Sequence, residues 1–285
     1  MTALRFALVG DPVAHSRSPA MHEAAYRALG LPHSYETWRV RDEAELAAAV
    51  AKLRSGEVAG LNVTVPHKRA VLALVDELDS VARIVGACNT LVARDGKVVA
   101  YDTDVAAIAD ELRALAPSGE KGGTALVLGS GGAARAAVVA CALHLGADHV
   151  VVRARKDASA MCAELEASLK GLGCTVHISA EPLPSPPPSL SPSPRWIIQA
   201  TSAGMTGAEP GDAVAAAVRW EELAPGAVAL DVVYSPPETP FVHAARAAAI
   251  PVENGLGMLA RQGAAAFELW LGLPAPLEVM RRALA

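Results

Sequence analysis

With 285 residues, 52% of them hydrophobic and only 19% charged, the chain carries ample apolar material for packed cores, which excludes a disordered class, and its length predicts about two domains. The formal net charge of -5 offers no long-range attraction for polyanions, and no Lys/Arg run or interleaved aromatic stripe is present, so nucleic acid is not an expected partner. The first apolar run ends at Gly10 and Asp11 and no stretch of about 18 uncharged apolar residues follows, so neither a signal peptide nor a membrane span is predicted and a cytoplasmic chain is expected.

In chain order, apolar runs bounded by turn residues alternate with helical patterns. RFALVG (5–10) reads as a strand, SPAMHEAAYRAL (18–29) as a helix, VAGLNVTVP (58–66) as a strand and KRAVLALVDEL (68–78) as a helix. YDTDVAAIADELRAL (101–115) leads by helix into the loop PSGEKGG, and a fresh strand, GTALVLGSGG (123–132), opens the helix AARAAVVACALHLG (133–146). DHVVVRAR (148–155), RWIIQATS (195–202) and AVALDVVY (227–234) are strands, and LGMLARQGAAAFELW (256–270) is a long helix. This alternation predicts an α/β fold with parallel sheets covered by helices. EPLPSPPPSLSPSPR (181–195) holds too many prolines to donate to a ladder or continue a helix, and reads as an extended surface connection. Cys88, Cys141, Cys162 and Cys174 form no C-x-x-C pair and no metal spacing with histidine, so free, mostly buried thiols and no metal are expected.

Gly129, Gly131 and Gly132 follow an apolar strand and open an alanine-rich helix, with Ala134 at the third position of the G-x-G-x-x-G/A pattern. Glycines there allow close backbone approach to a pyrophosphate, and the helix N-terminus supplies free N–H groups. The next strand ends in Arg153, Arg155 and Lys156 where an NAD site would place an acidic residue for the ribose 2'-hydroxyl, so NADP(H) is the predicted cofactor. Strand alternation predicts Arg153 and Arg155 on one side, with Lys156 in the loop.

Outside this unit, Ser18 followed by Pro19 reads as a helix start with Ser18 as N-cap, which sets Ser16 and Ser18 at a positive helix end suited to a small carboxylate. In NVTVPHK, Asn62 and Thr64 share a strand face, Pro66 ends the ladder, and Lys68 is predicted to project from the C-terminal edge of a sheet, where open α/β sheets place ligands. His67 reads as a loop or packing residue. Asn89 and Thr90 in GACNTLV, and Asp102 to Asp104 in YDTD, are polar clusters beside apolar strands, costly to bury unless paired. Together they suggest a pocket for a polar small molecule.

Through SRSPAMHEAAY, NVTVPHK, GACNTL, DTD, GSGGAAR, ATSAGM, DVVYSPPETP and ENGLGMLARQ, in order and spacing, the chain resembles the shikimate dehydrogenase family over nearly its whole length. The resemblance implies a two-domain enzyme with a cleft between the domains, reducing 3-dehydroshikimate to shikimate with NADPH in the aromatic amino acid (chorismate) pathway. It implies a substrate domain from 1–104 plus 255–285 and a Rossmann-like, doubly wound NADP-binding domain from 105–254. By the same resemblance Ser16 and Ser18 hold the substrate carboxylate, Asn62, Thr64, Asn89 and Gln262 bind ring hydroxyls, and Lys68 and Asp104 form the catalytic pair. Gly129, Ser130, Gly131, Gly132, Ala133 and Arg155 would hold the cofactor, with Thr201, Met205, Tyr234 and Gly255 near the nicotinamide and Tyr234 also toward substrate. The chain departs from the family pattern at Asp102, Val105, Gln199, Ala154 and Lys156. The alternatives are a quinate or aminoshikimate dehydrogenase and, in a different class, a non-catalytic NADP-binding sensor; monomer and homodimer stay open.

Overall fold

The computed structural model describes residues 2–116, 121–183, 190 and 192–284. By its contacts the chain divides into two units, residues 1–103 with 259–285, and residues 104–258. The first unit holds β1 (Arg5–Gly10), α1 (Ser18–Ala28), β2 (Ser34–Arg39), α2 (Glu43–Arg54), β3 (Gly60–Val63), β4 (Glu77–Leu78), α3 (Ser80–Val85), β5 (Thr90–Arg94) and β6 (Lys97–Tyr101). The second holds α4 (Asp104–Leu115), β7 (Thr124–Leu128), α5 (Gly132–Val139), β8 (His149–Ala154), α6 (Ser159–Lys170), β9 (His177–Pro182), β10 (Pro194–Gln199), α7 (Asp212–Ala215), β11 (Val228–Asp231), α8 (Pro240–Ala247) and β12 (Val252–Glu253). The division then falls within α9 (Leu256–Leu271), and α10 (Leu277–Arg282) closes the chain.

In the first unit the sheet order is β2-β1-β3-β5-β6-β4. Alternation along β1 sends side chains to two covered faces. Ala7 and Val9 pack with Leu46, Val50 and Leu53 of α2 and with Val63 and Leu91, while Phe6 stacks on Trp270 of α9 at 4.8 Å. Tyr26 of α1 stacks on Phe267 at 5.8 Å on that second side. The expectation of parallel pairing fails here for β5, which runs antiparallel to both β3 and β6. Asp95 and Gly96, both at positive φ, form the two-residue hairpin that makes the reversal possible.

The helix expected over 68–78 is also absent. Ala70–Leu74 forms a short 3-10 helix and β4 pairs with β6 instead. Asp76 is the physical reason. Its carboxylate accepts the Val98 N–H at 2.7 Å and an Arg54 N–H at 2.6 Å, and its own N–H reaches the Val98 carbonyl at 2.9 Å, so the segment is drawn onto the sheet edge.

The second unit's sheet is parallel throughout, in the order β12-β11-β10-β7-β8-β9. Numbered within the unit this is 3-2-1-4-5-6 read from β9, the doubly wound Rossmann order, whose direction reverses between β7 and β10. Leu126, Val151, Ile197 and Ala229 from four adjacent strands pack with Val214, Phe241 and Val242. The helix predicted over 133–146 begins at Gly132 as α5 and continues through a π-helical turn, Ala140–His144.

In the proline-rich segment, residues 184–189 and 191 lie outside the described residues, and the described flanks correct the reading of a connection throughout. β9 runs to Pro182 and β10 starts at Pro194. Both prolines fit because β9 is an edge strand and Pro194 sits at a register shift against β7. All four cysteines are free thiols, with Cys88, Cys141 and Cys162 buried. Among the described residues no helix is long and apolar enough to cross a membrane, and no group of metal-ligating side chains is assembled.

Candidate active site

The first unit gathers its polar residues beyond the C-terminal ends of β1 and β3. After β1 the chain turns at Val13 to Ser16, whose N–H reaches the Val13 carbonyl at 3.1 Å. The capping expectation is corrected: the residue before α1 is Arg17, and its side chain makes no capping bond. Ser16 Oγ instead accepts the Ser18 N–H at 3.2 Å, and Ser18 is buried. Proline at the first turn already removes one free N–H, which lessens the need for a cap.

A continuous buried network follows. Tyr35 donates its O–H to Asn62 Oδ1 at 2.7 Å. Asn62 Nδ2 donates to the Asn89 carbonyl and to Thr90 Oγ1, each at 3.0 Å. Asn89 Nδ2 donates to Thr103 Oγ1 at 2.9 Å and to Gln262 Oε1 at 3.2 Å, while its Oδ1 accepts the Thr103 N–H at 2.9 Å. Gln262 Nε2 donates to the Leu259 carbonyl. Asn62, Asn89, Thr90 and Thr103 are each under a tenth exposed, so this many amides and hydroxyls are tolerable only because they bond to one another. Thr64 stands one residue beyond β3, half-buried, with its N–H on the Val9 carbonyl at 2.9 Å.

Pro66 follows, and then the His-Lys pair separates into different environments. His67 is buried, its Nε2 bonds the Val40 carbonyl at 2.7 Å, and its N–H reaches the Thr64 carbonyl at 2.9 Å. It holds the turn in place. Lys68 is half-buried, and its carbonyl accepts the Cys88 N–H at 2.9 Å, fixing the turn to the segment that carries Asn89. Asp102 is buried in the first unit. Asp104 is the first residue of α4 in the second unit, buried at a helix N-terminus whose partial positive charge favours a carboxylate.

In the second unit the glycine turn lies at the point where the strand order reverses. Gly129 has φ of +119°, and a Cβ there would come within 3.0 Å of the Ala200 carbonyl and the Thr201 methyl, so only glycine lets β7 and β10 exit this close together. Ser130 and Gly131 complete the turn, and Gly132 and Ala133 are the first residues of α5. Gly131 precedes α5 without a side-chain cap, and a Cβ on it would meet open space. The first N–H groups of α5 are thus offered to an external acceptor, which fits a pyrophosphate.

Arg153 requires correction. It is 1% exposed, with Nε on Glu181 at 2.9 Å and a guanidinium N–H on the Ala217 carbonyl at 2.9 Å, so it ties three parts of the unit together and is inaccessible to a cofactor phosphate. β8 ends at Ala154, so period-two alternation stops before Arg155, which is exposed and paired with the Glu209 carboxylate. Lys156 is exposed in the same loop. These two cations and the uncapped helix fit a dinucleotide that carries a 2'-phosphate.

Thr201 and Met205 are half-buried on the loop after β10, and Tyr234 is half-buried after β11. Gly255 approaches so closely that a Cβ would lie 2.2 Å from the Val232 carbonyl. Gln199 points inward: its Nε2 donates to the Thr201 and Ala203 carbonyls and to Asp231 Oδ1 at 3.3, 3.1 and 3.2 Å. Asp231 also accepts the Thr239 hydroxyl and the Val233 N–H. Burial pushes the Asp231 carboxyl up to about 6 despite these bonds. Sequence reasoning did not single out Tyr35 or Glu209; each acts through a partner distant along the chain.

A Rossmann-ordered unit with an uncapped glycine turn, joined in one chain to a unit that presents a buried amide and hydroxyl network, defines the class of nicotinamide-dependent oxidoreductases acting on polar small molecules. The model for the shikimate dehydrogenase substrate binding domain matches residues 8–91, and that for the shikimate 5'-dehydrogenase C-terminal domain matches residues 255–285. The NADP(+) shikimate dehydrogenase of Citrifermentans bemidjiense is 40% identical over 279 residues, covering 98% of this chain and 93% of that protein. The shikimate 5-dehydrogenase of Thermus thermophilus, solved with NADP(H) and shikimate, superposes with a TM-score of 0.77 at 34% identity, covering 99% of this chain and 98% of that one. A 5-ketofructose reductase from a Gluconobacter strain superposes with a TM-score of 0.82 at 31% identity, covering 99% and 98%. The chain belongs to the shikimate dehydrogenase family.

Proposed function

We propose that this chain is an NADP-dependent dehydrogenase that interconverts 3-dehydroshikimate and shikimate. The observation that carries the reading is the bonded set Asn62, Thr90, Asn89, Thr103 and Gln262, followed by Lys68, in a chain 40% identical to an NADP(+) shikimate dehydrogenase. Such a network suits a rigid, polyhydroxylated ring, because its groups are oriented before the ligand arrives.

In this reading Ser16 and Ser18 take the substrate carboxylate, and Asn62, Thr64, Asn89, Gln262 and Tyr234 take its hydroxyls. Gly129, Ser130, Gly131, Gly132 and Ala133 face the pyrophosphate, Arg155 and Lys156 the 2'-phosphate, with Thr201, Met205 and Gly255 on the nicotinamide side. NADPH, when bound, supplies the hydride that reduces the ketone carbon. Negative charge grows on the ketone oxygen as this happens, and a protonated Lys68 donates its proton there, a contribution of roughly 100- to 10,000-fold. In this reading Asp104 is the catalytic partner that the family resemblance gives to Lys68. In the oxidative direction Lys68 must first lose its proton, so turnover of shikimate rises toward alkaline pH.

The test is an assay of the purified chain with shikimate, quinate and aminoshikimate, each with NADP+ and NAD+, and with 5-ketofructose and 3-dehydroshikimate plus NADPH, followed by nicotinamide absorbance. Turnover of shikimate with NADP+ well above every other pair supports the reading. Preference for another substrate reassigns the activity within the family, and silence with every pair favours the sensor.

A further inference from the structure

Asn62 has three hydrogen-bond partners, and each constrains a different part of its amide. The Asn89 carbonyl is an acceptor only, so the side that faces it at 3.0 Å must be the NH2 group. Thr90 Oγ1 takes the second amide hydrogen at 3.0 Å and passes its own proton to Asn89 Oδ1 at 3.2 Å. The amide oxygen is thereby turned toward Tyr35, whose O–H donates to it at 2.7 Å. Both amide hydrogens are committed, and Oδ1 retains one lone pair for a ligand. Asn62 in this arrangement can accept from a ligand hydroxyl but has no hydrogen to give.

Tyr35 itself is held firmly. It is 3% exposed, and the His22 ring lies parallel to it, with centroids 4.3 Å apart and planes inclined by 5°. Neither His22 nitrogen has a hydrogen-bond partner among the described residues, and burial lowers that imidazole to about 3, so it packs as a neutral aromatic. Trp270 and Tyr26 flank the His22 ring at 5.5 and 6.1 Å.

Resting on the dehydrogenase reading above, we propose that Tyr35 and Thr90 are positioning residues for substrate: they fix the amide of Asn62 so that its oxygen accepts one hydroxyl of the bound ring. Neither needs to touch the substrate. Their effect is therefore confined to affinity for that ligand, with the chemistry at Lys68 untouched.

Tyr35→Phe removes the phenol oxygen while keeping the ring stack, and Thr90→Val removes the other hydroxyl with little change of shape. Steady-state kinetics on wild type and both variants, varying shikimate and NADP+ separately, test the idea. In each variant the KM for shikimate rises roughly 5- to 20-fold, the loss of about one oriented hydrogen bond. At the same time kcat stays within about twofold and the KM for NADP+ does not move. A merely structural role would instead lower the melting temperature and move both KM values together, and that outcome overturns the proposal. So does an unchanged KM for shikimate in a folded variant. If one variant fails to fold, the other carries the test. A wild type silent with shikimate overturns the dehydrogenase reading and this inference together, whereas an active wild type with indifferent variants overturns this inference alone.

Discussion

In the first unit the candidate site is built of side chains already bonded to one another. In the second it is built of backbone N–H groups at the start of α5 and of cations that stand in solvent. Asn62, Thr90, Asn89 and Thr103 are buried and mutually satisfied, whereas Gly131 faces open space and Arg155 has an exposed carboxylate beside it. The contrast follows from what each region must recognise. A ring whose isomers differ by the placement of hydroxyls demands fixed donors and acceptors, because a wrong group then leaves a buried partner unpaired. A pyrophosphate needs charge and free N–H groups, which almost any residues around glycine can leave in place. Substitution in the first region should therefore alter substrate handling sharply, and substitution in the second should grade cofactor preference.

The largest effect separates chemistry from both kinds of recognition. Lys68→Ala should lower kcat by roughly 100- to 10,000-fold while shikimate affinity changes less than about threefold, since charge on the ketone oxygen develops only in the transition state. Equilibrium binding of shikimate beside single-turnover kinetics checks both halves. A large loss of affinity with turnover preserved would move Lys68 into the recognition network and blur the contrast.

Next in size is the cofactor side. Arg155→Gln should raise the KM for NADP+ on the order of 10- to 100-fold and leave NAD+ nearly unaffected, the pattern of a lost charge-assisted bond to the 2'-phosphate. Arg153 should not behave this way: its substitution removes a buried tie between β8, Glu181 and the Ala217 carbonyl, so stability suffers before cofactor preference does.

These two arginines show how far the sequence could be read. The strand-turn-helix around Gly129 and the ordered polar motifs were legible, because each is a local pattern with a local cause. Arg153 was not. Period two places it on a face, but in a parallel sheet covered on both sides either face is interior, and only the end of β8 at Ala154 releases Arg155. Tyr35 was hidden for a related reason: SYETWR gives it an inward face, but its partners His22 and Asn62 come from other segments. The helix expected over 68–78 failed because Asp76 finds its partners in Arg54 and Val98, far along the chain.

A smaller effect concerns the interior of the second unit. The Asp231 carboxyl is raised from 3.8 to about 6 by burial. A raised folded value means that its contribution to stability is fully present below 3.8 and is lost as pH rises through about 6. Relative to Asp231→Asn, the wild type should therefore gain about 1 kcal/mol of stability when pH falls from 7 to 5. Urea denaturation of both proteins at the two pH values checks the sign, and a difference that is flat or reversed would mean that Gln199, Thr239 and the Val233 N–H fully stabilise the charged form.

The smallest effect tests whether the exposed cofactor side is tuned at all. Glu209 occupies Arg155 in this structure, so a 2'-phosphate must displace a carboxylate and then sit beside its charge. Exposed ion pairs are weak and screened by salt, so the competition is modest. Glu209→Gln should lower the dissociation constant for NADP+ by a factor of about 2 to 5, with NAD+ unchanged, and the advantage should shrink as salt is raised. Arg155→Gln should abolish that advantage, because the two residues act on the same phosphate and their effects cannot add. Titration of the four proteins (wild type, each variant and the double variant) at low and high salt reads all of this. An NADP+ affinity indifferent to Glu209 would place the phosphate on Lys156 instead, and the open side of the comparison would then rest on a different cation.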